Sequence, residues 1–165
     1  FLCFGTKGIM DADTAIRNAM LFNVLSYMSD ALLTKGNTAA FIDELYLFLT
    51  NLTAIEYIRN AMKRVRKKDS AVVIASQNID DFNRADVREM TKPLFAIPTH
   101  QFLFHPGNIS KKEFMDMLRL DDCLFDLITN QMRGVCVFRH GSEVYHLVVK
   151  APKYKEELFG SAGGR

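Results

Sequence analysis

The sequence predicts an α/β fold, with a mainly parallel sheet, flanking helices and a C-terminal hairpin. Three observations predict it. Short apolar runs without alternation, Phe1-Leu2-Cys3-Phe4, Ala39-Ala40-Phe41-Ile42 and Ala71-Val72-Val73-Ile74-Ala75, read as buried strands. Stretches with apolar residues three and four apart lie between them and read as helices. Strand, helix, strand, helix, strand is the order of a parallel sheet joined by right-handed crossovers.

Each element has its own signal. Gly5 closes the first run, Phe1 to Phe4. Asp11 to Leu33 reads as a long helix, because Ile16, Ala19, Met20, Asn23, Tyr27 and Ala31 recur at helical steps and Gly36 is a natural stop. The second run ends abruptly in Asp43-Glu44. Thr53-Ala54-Ile55-Glu56 is a capping box, with Glu three residues after the cap. The helix it opens carries Ile55, Ile58, Met62 and Val65 on one face and finishes in Lys63-Arg64-Val65-Arg66-Lys67-Lys68. Cations in a last turn complement the helix dipole. The third run leads into Ser76-Gln77-Asn78.

The second half has a different pattern. A loop or short helix covers about 80–90, and a strand lies near Thr99 to Phe104. Ser110-Lys111-Lys112-Glu113 is a second capping box that opens a helix to about Leu118, and a further helix runs from about Asp122 to Thr129. Val135 to Arg139 and Glu143 to Lys150 form a hairpin around His140-Gly141-Ser142, where Gly supplies positive φ. Residues 1–159 are read as part of one domain, and the small, polar tail 160–165 as mobile.

Composition narrows the classes. The chain has 165 residues, 48% apolar and 24% charged, an ordinary globular mixture that excludes a fibre or a wholly disordered chain. A net charge of +2 does not by itself call for nucleic acid or an anionic membrane. No apolar run approaches the roughly 18 residues of a membrane span. The chain opens on Phe1 without a leader pattern and reads as an internal piece of a longer protein. Cys3, Cys123 and Cys136 are far apart and odd in number, which suggests neither a disulfide framework nor a zinc ribbon and fits a reducing compartment. Asn51-Leu52-Thr53 and Asn108-Ile109-Ser110 match the glycosylation triplet, but Thr53 and Ser110 are better read as helix caps. His100 and His105 would point to opposite faces of a strand, and His140 and His146 flank a turn, so no metal site is expected from histidines. Phe102 and Phe104, like Phe114, Met115, Met117 and Leu118, are read as core.

The strongest chemical signal is Phe41-Ile42-Asp43-Glu44, which looks like a Walker B motif. Ligands of open α/β sheets bind beyond the carboxyl ends of the strands. An Asp there can hold a nucleotide-bound Mg²⁺ through water, and the next acid can polarise an attacking water as a general base. Gln77 ends the following run and can orient that water or sense a γ-phosphate. Arg64, Arg66, Lys67 and Lys68 lie between the two. A cation there can reach a phosphate across a subunit interface, as an arginine finger does; a solvated helix end or a DNA-backbone contact reads the same residues differently.

Taken together, Phe41-Ile42-Asp43-Glu44-Leu45-Tyr46, the Arg66-Lys67 pair and Ala75-Ser76-Gln77-Asn78 resemble the large ATPase of type IV secretion and conjugation systems. This is the fourth VirB component, a relative of TraC and, more distantly, of the FtsK/HerA pumps. The Phe102-Leu103-Phe104 strand, two helices and closing hairpin follow the same family's C-terminal order. The resemblance implies the C-terminal part of a RecA/FtsK-like P-loop domain, with ATP and Mg²⁺ as cofactors. It implies Asp43 on the Mg²⁺ side, Glu44 as catalytic base, Gln77 as sensor and Arg66 as finger, with Arg64 as second choice. It also implies a hexamer or dimer at the cytoplasmic face of the inner membrane, docked on secretion-channel components, with DNA as a possible partner. Leu45-Tyr46 replaces the family's commoner Ala-Trp, and Ser76 replaces Thr. The chain has no G-x-x-x-x-G-K-[ST] phosphate loop; Gly5-Thr6-Lys7-Gly8 lacks its spacing and ending. A DNA-translocating coupling-protein or HerA-like pump, and a non-catalytic assembly or nucleic-acid-binding module, remain open readings of the same residues.

Overall fold

Two four-residue strands, β1 (Ala39–Ile42) and β2 (Ala71–Ile74), pair in parallel, with Ala39 opposite Ala71 and Ile42 opposite Ile74. The computed structural model describes residues 1–77, 79–107, 109–129 and 132–160. Its chain divides into two compact units, Phe1–Pro98 and Thr99–Arg165. The expected Asn78 end of the Gln77 segment, Asn108 of the second triplet and residues 161–165 of the tail lie outside the described residues.

In the first unit a short helix, α1 (Lys7–Met10), precedes the long α2 (Thr14–Asp30). Asp13 caps α2, its Oδ1 accepting from the N–H groups of Ala15 and Ile16 at 2.9 and 3.2 Å. A wide turn at Ala31–Lys35 extends the helix until Gly36, at φ 72°, ends it as expected. Helix α3 (Leu52–Arg64) is capped by Asn51, not by Thr53: Asn51 Oδ1 accepts from Ala54 N–H at 3.2 Å. Asn is at least as good a cap as Thr and lies two residues earlier, so the helix starts before the expected box. The face of α3 that carries Ala54, Ile55, Ile58 and Ala61 is buried. Leu32, Ala61 and Val65 form a cluster packed by Met28, Leu33, Ala40 and Val72, which glues the helices to one face of the strands. Helix α4 (Arg88–Ala96) continues past the expected short element despite Pro93. Buried Thr91 anchors it, donating its hydroxyl to Phe82 O at 2.7 Å.

Two expectations for this unit are corrected. Phe1-Leu2-Cys3-Phe4 is exposed and forms no strand; Phe4 instead meets Tyr27 edge-on at 5.8 Å. The parallel sheet among the described residues therefore has two strands. Nor are those strands covered on both faces. Phe41 is 73% and Val73 46% exposed while Ile42 is only 8%, because α2 and α3 pack on one face alone.

In the second unit β3 (His100–Leu103), β4 (Val135–His140) and β5 (Glu143–Val148) form an antiparallel sheet in the order β3-β4-β5. The fold is thus mixed α/β, with more antiparallel than parallel pairing, where a mainly parallel sheet was expected. The hairpin turns through Gly141 and Ser142, Gly141 at φ 59°. Helix α5 (Lys111–Leu118) opens at the expected cap, with Ser110 Oγ accepting from Glu113 N–H at 3.3 Å. Helix α6 (Asp122–Thr129) packs on β4, and Phe114 and Phe125 meet edge-to-face at 5.7 Å. A last helix, α7 (Lys153–Phe159), had no sequence signal. Phe114 and Leu118 are core as expected, but Phe102 and Phe104 are 54% and 50% exposed: helices cover the other face of their sheet. The three cysteines are free, Cys3 and Cys123 exposed and Cys136 buried.

Gly134 immediately precedes β4 at φ 79°, and a Cβ there would overlap Val149 O, while the Val149 N–H donates to Gly134 O at 2.8 Å. Both the left-handed backbone and the contact exclude a side chain. Gly134→Ala is expected to cost about 2–4 kcal/mol in urea unfolding; a loss under about 1 kcal/mol would show that this strand end re-forms freely.

Candidate active site

Backbone hydrogen bonds carry the parallel pairing one step beyond the strands. Ala75 N–H donates to Ile42 O at 2.8 Å, and Leu45 N–H donates to Ala75 O at 3.1 Å. Asp43 and Glu44 therefore leave β1 at the same carboxyl-terminal edge at which Ser76 and Gln77 leave β2. Asp43 is exposed, and its Oδ1 accepts from the N–H of Glu44 at 2.9 Å. Gln77 is exposed on the adjoining segment.

Glu44 is half-buried and adopts the left-handed conformation, φ 51° and ψ 49°. A non-glycine residue there costs on the order of 1 kcal/mol. The reversal sends the chain straight into a 3₁₀ turn, Leu45–Thr50, whose Leu45, Phe48 and Leu49 are buried. Burial of those three side chains offsets the backbone cost. Tyr46 O–H donates to Glu44 Oε2 at 3.5 Å. The Tyr46 phenol is held above its usual pKa, first by desolvation, then by the charge of Glu44 and their hydrogen bond, and last by the charge of Asp81. Asp81 is thus a part of this edge that the sequence did not single out, and in the sequence Tyr46 is a motif position without a role. Only the Tyr two residues after Glu44 offered a signal.

The arginines lie elsewhere. Helix α3 returns from the carboxyl edge to the amino edge, where Lys68 O accepts from Asn37 N–H at 2.9 Å just before β1. Arg64, Arg66, Lys67 and Lys68 are all exposed there, on the last turn of α3 and the 3₁₀ turn Val65–Lys68. Thirteen helical residues rise about 20 Å. Within one chain, then, the structure brings Asp43, Glu44 and Gln77 to one edge and keeps Arg64 and Arg66 at the other.

The carboxyl edge offers hard oxygen donors, the class that suits Mg²⁺. No group of three or more His, Cys, Asp or Glu side chains is gathered for a metal among the described residues. Mg²⁺ needs no such cage, since it keeps waters and substrate phosphates as ligands. The exposed Asp43 carboxylate, fixed at the strand end by the Glu44 amide, fits that role.

Along nearly its whole length this mixed α/β chain resembles VirB4, of the type IV secretion ATPase family. Its fold matches the solved structure of VirB4 of Thermoanaerobacter pseudethanolicus with a TM-score of 0.80 and 26% sequence identity over 93% of this chain. The chain spans 42% of the length of that structure. No protein-family model matches the sequence, and no curated protein does. Among the described residues no helix is long and apolar enough to cross a membrane.

If backbone reversal is the constraint at Glu44, glycine satisfies it and a β-branched residue does not. Glu44→Gly is expected to leave stability unchanged or raise it by up to about 1 kcal/mol, and Glu44→Val to lower it by about 1–2 kcal/mol, in urea unfolding. A glycine variant less stable than the valine variant would show that the carboxylate, not the backbone, anchors the turn.

Proposed function

We propose that this chain is the C-terminal part of a RecA/FtsK-like P-loop ATPase domain, spanning both units, that energises type IV secretion or conjugative DNA transfer. The observation that carries the reading is the register that sets Asp43, Glu44 and Gln77 on one sheet edge. The likeness to VirB4 supports it. The 165 residues contain no G-x-x-x-x-G-K-[ST] loop, so in this reading the phosphates are cradled by residues outside them and the segment alone binds ATP poorly.

The roles follow from the chemistry of each group. Asp43 holds nucleotide-bound Mg²⁺ through water; that ion, when bound, neutralises phosphate charge. Glu44 accepts the proton of the attacking water, and the Tyr46 hydroxyl on its Oε2 fixes the carboxylate's direction. Gln77 orients the water or reports the γ-phosphate. Arg66, or else Arg64, stabilises transition-state charge on a neighbouring subunit's nucleotide, because its own chain's acids lie at the opposite edge. The assembly in this reading is a hexamer or dimer at the cytoplasmic face of the inner membrane, bound to secretion-channel components.

A second reading is supported by the exposed Lys63–Lys68 run: five cations that bind DNA backbone, in a translocating pump or a non-catalytic module. Variants of the intact protein that carries this segment separate the readings. Glu44→Gln is expected to lower ATP turnover by about 10²–10⁴-fold and to spare ATP binding. Unchanged turnover would assign Asp43-Glu44 to the turn alone.

A mixing experiment tests the finger in trans. Glu44→Gln and Arg66→Ala proteins, each inactive, are expected to regain part of the turnover when co-assembled, since an intact Glu44 on one subunit then meets an intact Arg66 on its neighbour. No recovery in co-assembled protein would place the arginine's action within its own subunit or remove it from the mechanism.

A further inference from the structure

The antiparallel sheet brings together two histidines forty positions apart. In the β3–β4 register His100 stands opposite His140, so both side chains project from the same face. Both are exposed, and their ring centroids are 4.4 Å apart with a 36° tilt. Phe138 lies beside both imidazoles, nearly parallel to each, at 6.0 and 6.5 Å, and itself stacks on Phe102 at 4.5 Å. The aromatic row holds the two rings side by side and lowers the ordering cost of a ligand that needs both.

We infer that His100 and His140 form a chelating site for a divalent first-row transition metal ion, of the Cu²⁺, Ni²⁺ or Zn²⁺ class. An imidazole nitrogen binds such an ion at about 2.0–2.1 Å, which sets the centroids of two rings on one ion about 4.5–5.5 Å apart. The observed 4.4 Å needs only a small opening of the pair. Imidazole ligands select these ions over Mg²⁺ and Ca²⁺, so the site is chemically distinct from the oxygen-lined edge at Asp43. Glu143 pairs with His140 in register on β5 and shares the face, its Oε2 accepting from Tyr145 O–H at 2.8 Å. Among the described residues no third His, Cys, Asp or Glu side chain is gathered with the pair for a metal ion, so water completes the coordination. The other histidines are built differently. His146 stands opposite Val137 on the other face, and His105 Nδ1 accepts from Gly107 N–H at 3.1 Å.

The test uses the tag-free chain with exposed Cys3 and Cys123 changed to Ser, which removes competing thiolates. Titration with each metal chloride in a calorimeter is expected to show one ion per chain, with Cu²⁺ bound more tightly than Ni²⁺ or Zn²⁺. His100→Ala and His140→Ala are each expected to weaken binding by at least about tenfold, and His105→Ala to leave it unchanged. All three positions are exposed, so folding is not at stake. Substoichiometric Cu²⁺ is expected to broaden the ring Cε1–H resonances of His100 and His140 and spare that of His105. Absence of saturable binding, binding that survives His140→Ala, or broadening centred on His105 would overturn the assignment.

Discussion

The candidate site depends on one pairing register. Four residue pairs join β1 to β2, and the hydrogen bonds at Ala75 carry the alignment into the two loops. In a strand a slip of one residue exchanges the faces. Here it would bury Phe41 in place of Ile42 and lift Ala40 out of the Leu32–Ala61–Val65 cluster. It would also displace Asp43 from Gln77 by about 3.3 Å, more than a hydrogen bond's tolerance. The apolar packing beneath the sheet therefore sets the position of polar groups at its rim.

The same topology separates charges. Helix α3 begins near the acids and ends with the arginines, and both ends are fixed by local chemistry. Asn51 caps the start. At the far end Asp69 takes the left-handed conformation, and Lys68 O lies against Gly36, where a Cβ would sit only 2.8 Å away. The cation-bearing turn is thus docked, while its long side chains point to solvent. In the proposed assembly, acids and arginines at opposite edges of one chain meet between subunits. A head-to-tail contact does this and closes into a ring when its rotation allows; a side-by-side antiparallel pair does it twice within a dimer.

What the sequence showed and hid follows from the range of each interaction. The Ser110 cap, the stop at Gly36 and the Gly141 hairpin are local, and each was legible. So was the edge Asp43-Glu44, because two acids ending an apolar run are hard to place elsewhere. Asn51 displaced Thr53 because two good caps competed within three residues and spacing alone does not rank them. Phe1 to Phe4 looked like a strand because an apolar run carries no information about what it pairs with. Phe102 and Phe104 looked like core for the same reason. The meeting of His100 with His140 is a register fact, set by pairing across forty positions, and no local pattern contains it.

The acids at the rim perform structural work as well as any chemistry, and the two can be separated. Asp43 holds the Glu44 amide, and Glu44 carries the chain through a left-handed turn while accepting from Tyr46. Removing either side chain would alter the turn and the chemistry together, so its effect on turnover would be ambiguous. An amide keeps an oxygen acceptor of the same reach and the same backbone preferences, but carries no negative charge. It leaves the hydrogen bonds to the Glu44 amide and the Tyr46 hydroxyl available while removing the proposed base and the charge proposed to face Mg²⁺. The electrostatic part of the site is thus distinguishable from its geometric part by single-atom changes, because each bond that shapes this edge needs an acceptor and not a charge.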